Sequence, residues 1–264
     1  MFYNNMNFII FLLLIENSFS WRFLPIIPKK IISNKFISFN PGGIYGFYTL
    51  GISSYILKNY NTKKYNFIGA SSGSWNALIS TYKYDHQNFC ENLISQDFFD
   101  NVSSIYNLQK SMGNYIIDNY KSEDFNLNKL NICISILENR KLSSHIINNF
   151  TRIEEAIEMC MLSSHLPFLT SDELIKKYNN KIVFDGGLTN FPPKNVTTYY
   201  QISIQKMNND NIESALCNII KGNISKEIIN NLYLQGYNDC QNNKKEIDKY
   251  FKDSTDILFY LDYL

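Results

Sequence analysis

NFIGASSGSWNALISTY, residues 66 to 82, is the stretch on which the fold turns. Asn66 to Gly69 form a short apolar run of strand length, small residues follow, and the pattern becomes helical from Ser74 to about Tyr82. A strand that passes through a small-residue turn straight into a helix is the building unit of parallel sheets, because the helix carries the chain back across the sheet face. The segment upstream repeats the unit. Lys35 to Asn40 (KFISFN) is apolar, Pro41-Gly42-Gly43 stops it, and a helical pattern runs from Gly46 through Tyr60. Two such units in series predict an α/β domain with a mostly parallel central sheet.

Downstream, Asp85 to Leu130 is polar and aromatic with weak periodicity and reads as helices and loops laid over the sheet. Asn131 to Leu137 (NICISIL) has the character of a central strand, with Lys141 to Ile147 as a neighbour. Thr151-Arg152-Ile153-Glu154 fits a capping box ahead of a helix through Ser163. Lys181 to Phe184 and Tyr199 to Gln205 read as further strands, and amphipathic helices from about Lys226 and Lys244 close the chain.

The chain has 264 residues, of which 45% are hydrophobic, which suits one large domain with a substantial core plus a leader and a tail. A formal net charge of +1 gives no reason to expect nucleic acid as a partner. Cys90, Cys133, Cys160, Cys217 and Cys240 lack zinc-ligand or redox spacing and read as buried thiols. The Asn-x-Ser/Thr sequons at Asn101, Asn149, Asn195 and Asn223 match what so Asn-rich a chain contains by chance. Phe8 to Ile15 (FIIFLLLI) is too short to span a bilayer but fits the core of a signal peptide over residues 1–20, with Ser18 and Ser20 as the small residues before cleavage. No Lys or Arg precedes that run. Residues 21–34 then read as a basic linker or a transit-like stretch, leaving 35–264 as the folded domain with its C-terminal helices. A working leader sends the protein into the secretory route or a plastid. Without one, it is cytoplasmic and membrane-peripheral.

Gly69-Ala70-Ser71-Ser72-Gly73 matches G-x-S-x-G between a strand and a helix. A serine nucleophile needs a tight, exposed turn; the flanking glycines keep that turn clear of side chains, and the helix that follows points its positive end at the site. The same pentapeptide also reads as a structural or phosphate-binding turn. The Pro41-Gly42-Gly43-Ile44-Tyr45-Gly46 loop, at the other strand-to-helix junction, offers backbone N–H groups that suit either an oxyanion or a phosphate. It has neither the Lys-Ser/Thr ending of a P-loop nor dinucleotide spacing. His86, His145 and His165 do not sit on evident strand-end turns and read as structural or exposed. Asp185 does end an apolar strand, and Gly186 and Gly187 after it free its carboxylate and offer donors to orient it. A carboxylate in a partly dry site has the raised pKa that a base for a serine hydroxyl needs. On its own, Asp-Gly-Gly is also the sequence of a plain β-turn.

A glycine loop, then G-x-S-x-G, then D-G-G, in that order, resembles the patatin-like phospholipases, most closely the branch with the neutral-lipid lipases of animals. The run from Ser38 to Gly51 resembles that branch's passage from oxyanion loop into helix, and Asp185 to Asn190 its D-G-G segment. Ser163-Ser164-His165-Leu166-Pro167 resembles the family's Ser-x-x-x-Pro stretch, and Gly236-Tyr237-Asn238-Asp239 its late GYxD helix. The resemblance implies a three-layer α/β/α sandwich and hydrolysis of carboxylic esters of acylglycerols or phospholipids through an acyl-serine. Ser71 would be the nucleophile and Asp185 the proton acceptor. Gly42, Gly43 and the N–H of Ser72 would form the oxyanion hole, and Gly46, Gly69, Gly73, Gly186 and Gly187 are the motif glycines. It implies no cofactor and no metal, and a lipid substrate met at a membrane or lipid-droplet surface, with no transmembrane span. Phe47, Trp75, Leu78 and Phe168 lie near the motifs and are candidates to line an acyl trough. Two positions depart from the family: Pro41 replaces the first loop glycine and cannot donate a hydrogen bond, and Tyr45 replaces a frequent Arg or Lys. The alternative is a catalytically weak or inactive lipid-binding protein on the same fold.

Overall fold

A computed structural model describes residues 35–100, 102, 104–203 and 224–252. The leader, the basic linker, Asn101, Asn223 and Cys217 lie outside the described residues, as do Ile204 and Gln205 at the end of the last expected strand.

The opening units fold as read. Strand β1 (Lys35–Phe39) leads through the glycine loop into helix α1 (Gly46–Asn59), and β2 (Tyr65–Ala70) turns at Ser71 into α2 (Ser72–Ile79). The weakly periodic middle contains α3 (His86–Ile94) and α4 (Ile105–Asn119), each started by a side chain, Asp85 or Ser104, that accepts a backbone N–H of its first turn. Next come β3 (Leu130–Glu138), β4 (Lys141–Ile147) and α5 (Ile153–Ser163). The capping carboxylate of α5 is Glu155, not Glu154, and it accepts the backbone N–H groups of Thr151 and Arg152. The helix therefore begins one residue later than the capping-box pattern suggests. A short strand absent from the sequence reading, β5 (Lys176–Tyr178), forms a hairpin with β6 (Lys181–Phe184). The chain continues through β7 (Thr198–Ile202) to α6 (Lys226–Asn242) and α7 (Lys244–Phe251).

The seven strands form one sheet in the order β5-β6-β3-β2-β1-β7, with β4 also paired to β3. β7, β1, β2 and β3 are parallel neighbours, whereas β4 and β6 run against β3. With seven helices among the described residues, this mostly parallel sheet is consistent with a three-layer α/β/α fold. Strand alternation splits its residues between two faces. Ile37, Phe39, Phe67, Ile132, Ile134 and Ile136 enter the large core beneath the helices. Ile68, Ala70 and Cys133 face the other way, where Phe36, Ile146, Phe191 and Val196 cover them.

The pairing along β3 sets the site. One edge of β3 is shared by two strands arriving from opposite directions. β2 runs parallel to it and leaves at Ala70, opposite Cys133, while β6 runs antiparallel and ends at Phe184, opposite Ser135. Ser71 and Asp185, each one residue past its strand, are thereby brought to the same point of that edge.

Candidate active site

Ser71 adopts φ 54°, ψ −132°, a conformation that L-residues rarely hold and that costs of order 1–3 kcal/mol. Three features of the surroundings enforce it. A side chain at Gly69 would put its Cβ 2.0 Å from the carbonyl oxygen of Gly73, and one at Gly73 would lie 2.1 Å from that of Phe39, so the elbow closes only with glycine at both. The Ser71 carbonyl accepts the N–H of Ser74 at 2.9 Å and its hydroxyl at 2.6 Å, which starts α2. Ser163 supplies the third. Where β2 leaves the sheet, the Ser163 hydroxyl donates to the Cys133 carbonyl at 2.7 Å and accepts the Ser71 N–H at 2.9 Å, bridging two backbone groups that the turn separates. A buried backbone group left without a partner costs about 1–3 kcal/mol, so this bridge both fixes the elbow and spares that penalty.

Asp185 is buried, with 4% of its surface exposed. Burial raises its carboxyl from the ordinary 3.8 to about 6, opposed by hydrogen bonds from the Ser71 side chain and from the backbone of Gly187. The Gly187 N–H reaches Oδ1 at 2.7 Å, and the backbone N–H of Asp185 donates to the His165 carbonyl at 2.8 Å. Gly186 lets the turn settle on the sheet, since a Cβ there would meet the Cys133 carbonyl oxygen at 2.1 Å. A buried carboxyl raised in this way, one residue past the strand end beside Ser71, has the character of a base for a serine hydroxyl.

The glycine loop lies beside this pair. Gly42 donates its N–H to the Ser72 hydroxyl at 3.1 Å, and a Cβ on Gly46 would press within 2.7 Å of the Ser72 Cβ. Gly43, at φ 55°, opens on free space. A hydroxyl thus already occupies one of the expected oxyanion donors, and an incoming oxyanion would compete with it. Pro41 has a place of its own: its ring packs against Gly187, where an added Cβ would lie 2.8 Å from the Pro41 Cβ. It therefore buttresses the turn whose amide holds Asp185. Tyr45 is buried in the main core.

The histidines take other roles. Burial lowers His86 to about 4, and its ring lies 3.6 Å from the Cys90 sulfur. His145 meets Ser143 on the same strand at 2.9 Å. His165 supplies a backbone carbonyl to Asp185 and stacks its ring on Phe184, centroids 6.0 Å apart. The residues expected to line an acyl trough divide. Phe47, Trp75 and Leu78 are buried in the main core, whereas Phe168 is 82% exposed. The GYxD residues act at a distance from the site: the Tyr48 hydroxyl on α1 donates to Asp239 on α6 at 2.8 Å.

Two residues had no local signal in the sequence. Ser163 stood out only through the Ser-x-x-x-Pro resemblance, and nothing marked it as the partner of Ser71. The packing of Pro41 on Gly187 joins segments far apart in the chain. Among the described residues no helix is long and apolar enough to cross a membrane. A family model described as patatin-like phospholipase matches residues 37–196, more than half of the chain. No curated protein was found to match it.

Proposed function

This chain belongs to the patatin-like phospholipase family, and from that premise we propose that it is a serine lipid acyl hydrolase working through Ser71 and Asp185. One observation carries the reading: β2 and β6 release Ser71, on its strained elbow, and the buried Asp185 at the same point of the β3 edge. Asp185 takes the hydroxyl proton as Ser71 Oγ attacks the ester carbonyl, and a tetrahedral oxyanion forms. The loop amides of Gly42 and Gly43, with the Ser72 N–H, stabilise that charge beside the start of α2. Gly42 gives up its bond to the Ser72 hydroxyl as the oxyanion arrives. Collapse expels the alcohol, which recovers the proton, and leaves an acyl-serine; water then repeats the cycle and releases the fatty acid.

Neutral acylglycerols or simple esters suit this site better than phospholipids. No Arg or Lys lies between Pro41 and Leu57 or between Asn66 and Thr81, so little fixed positive charge is at hand for a phosphate. Lys194 is the exception to weigh, since it lines a cleft with Leu188, Thr189 and Asn190 just beyond Asp185. Fluorophosphonate labelling tests the nucleophile: it should be lost in Ser71→Ala and kept in Ser72→Ala, with hydrolysis of diacylglycerol faster than of phosphatidylglycerol in matched micelles. Labelling that survives Ser71→Ala would sink the assignment, and a salt-sensitive preference for phosphatidylglycerol would sink the substrate class.

A further inference from the structure

The segment between α5 and β5 holds an exposed aromatic where the backbone disfavours one. The Leu169 N–H donates to the Leu166 carbonyl at 3.2 Å, closing a four-residue turn with Pro167 and Phe168 at its centre. Phe168 takes φ 65° there, a turn position that glycine or asparagine normally fills. The turn is locked from within. Thr170 donates its N–H to the Leu166 carbonyl at 3.0 Å, its hydroxyl accepts the Leu166 N–H at 2.8 Å, and that hydroxyl also donates to the Ser164 carbonyl. A bulky ring held at a strained position and pointed outward is an outlier that asks for a function. Leu174 (57% exposed) and Ile175 (45%), six and seven residues further on and just before β5, are exposed apolar side chains of the same segment.

We propose that the turn at Phe168, with Leu174 and Ile175, is the surface by which this protein docks onto lipid aggregates, inserting apolar side chains at the headgroup boundary. The proposal rests on the lipid-hydrolase reading for its choice of partner. The turn and the site form one rigid piece: Ser163 before it holds the Ser71 amide, the His165 carbonyl holds the Asp185 amide, and the β5–β6 hairpin after it ends at Asp185. Whatever covers Phe168 is therefore held close to Ser71. The charges nearby are largely cancelled, with Lys176 paired to Glu173 at 3.6 Å and Lys181 to Glu138 at 2.6 Å. Insertion thus draws on apolar area more than on attraction to anionic lipid.

Sedimentation with phosphatidylcholine vesicles tests this, in the Ser71→Ala background so that lipid is not consumed. Phe168→Gly should weaken partitioning about tenfold, and Leu174→Ser with Ile175→Ser by a similar factor. Since glycine suits the positive φ, Phe168→Gly should melt no lower than its parent, which separates docking from misfolding. With Ser71 present, the ratio of vesicle-lipid to soluble-ester hydrolysis should fall in parallel. A chain that hydrolyses neither substrate yet partitions through Phe168 would end the esterase reading and leave the docking surface standing. Partitioning within twofold of the parent would overturn the proposal, as would a partitioning abolished by salt, or a chain that ignores vesicles and self-associates through Phe168.

Discussion

A carboxylate shielded from water and held by the Gly187 amide lacks the solvation it would have in the unfolded chain, so burial pushes the Asp185 carboxyl up from 3.8 to about 6. Between those two values the folded protein keeps a proton that the unfolded chain has lost, so stability falls as pH rises through the window. Above it, the full penalty is about 3 kcal/mol. Reactivity runs the other way, since only the ionised form accepts the serine proton. Rate per substrate should therefore climb with pH up to about 6 and then level off. Asp185→Asn keeps an oxygen for the Gly187 amide while abolishing ionisation. It should lower hydrolysis by about 10²–10⁴-fold and yet melt higher than wild type near neutral pH, with the gap closing as the pH approaches about 4. Equal melting at both pH values, or a rate flat across the window, would refute this account of Asp185. The two strand-end motifs that carry the proposed pair were legible because such motifs are local. Ser163 and the Pro41–Gly187 contact were not, because a bridging hydroxyl and a packed ring leave no trace in their own neighbourhoods.

At the scale of elements, strand direction is the feature the sequence withheld. Lys181 to Phe184 reads as a strand by its apolar run, but a period of two carries no polarity, and the hairpin partner Lys176–Tyr178 is too short and too charged to stand out. The antiparallel entry of β6 is what delivers Asp185 to the point where β2 releases Ser71. Helix α1, which carries the glycine loop at its start, is fixed from the other side by α6. Their backbones nearly touch: a Cβ on Gly236 would lie 1.9 Å from the Tyr48 carbonyl oxygen, and one on Gly51 2.0 Å from that of Tyr233. A clash between backbones cannot be relieved by a rotamer change, so Gly236→Ala should force the helices apart and cost about 1–3 kcal/mol or more. Tyr48→Phe removes one part-buried hydrogen bond to Asp239 and should cost about 1 kcal/mol. Urea denaturation would rank the two, and the reverse order would show that the tyrosine, not the close approach, fixes the crossing. Gly236→Ala should also slow hydrolysis more than Tyr48→Phe, because it displaces the loop amides.

For the molecule as a whole, the family match stops at residue 196, but the folded unit does not. Beyond it, α6 covers α1 through Tyr233, whose hydroxyl donates to Ser54 at 2.9 Å, and through the ring of Tyr237 against Tyr55. Helix α7 closes the far side: Asp248 accepts the Tyr60 hydroxyl at 2.6 Å, and Phe251 packs against Tyr60, Tyr65 and Tyr200. Ile229, Leu232, Ile247 and Phe251 belong to the same continuous core as Phe39 and Phe67. A chain ending after residue 203 would keep every sheet strand and both members of the proposed dyad. It would nonetheless bare one side of α1 and the apolar end of β2, at about 1.5–3 kcal/mol for each large side chain returned to water. A folded domain holds only about 5–15 kcal/mol in reserve, so several such losses exceed what is available. The shortened chain should therefore be insoluble or show broad, uncooperative melting, whereas a chain of residues 35–252 should unfold in one sharp transition. Should the shortened chain melt sharply and still react with a fluorophosphonate, the closing helices would be an accessory layer and α1 would be held by the sheet alone.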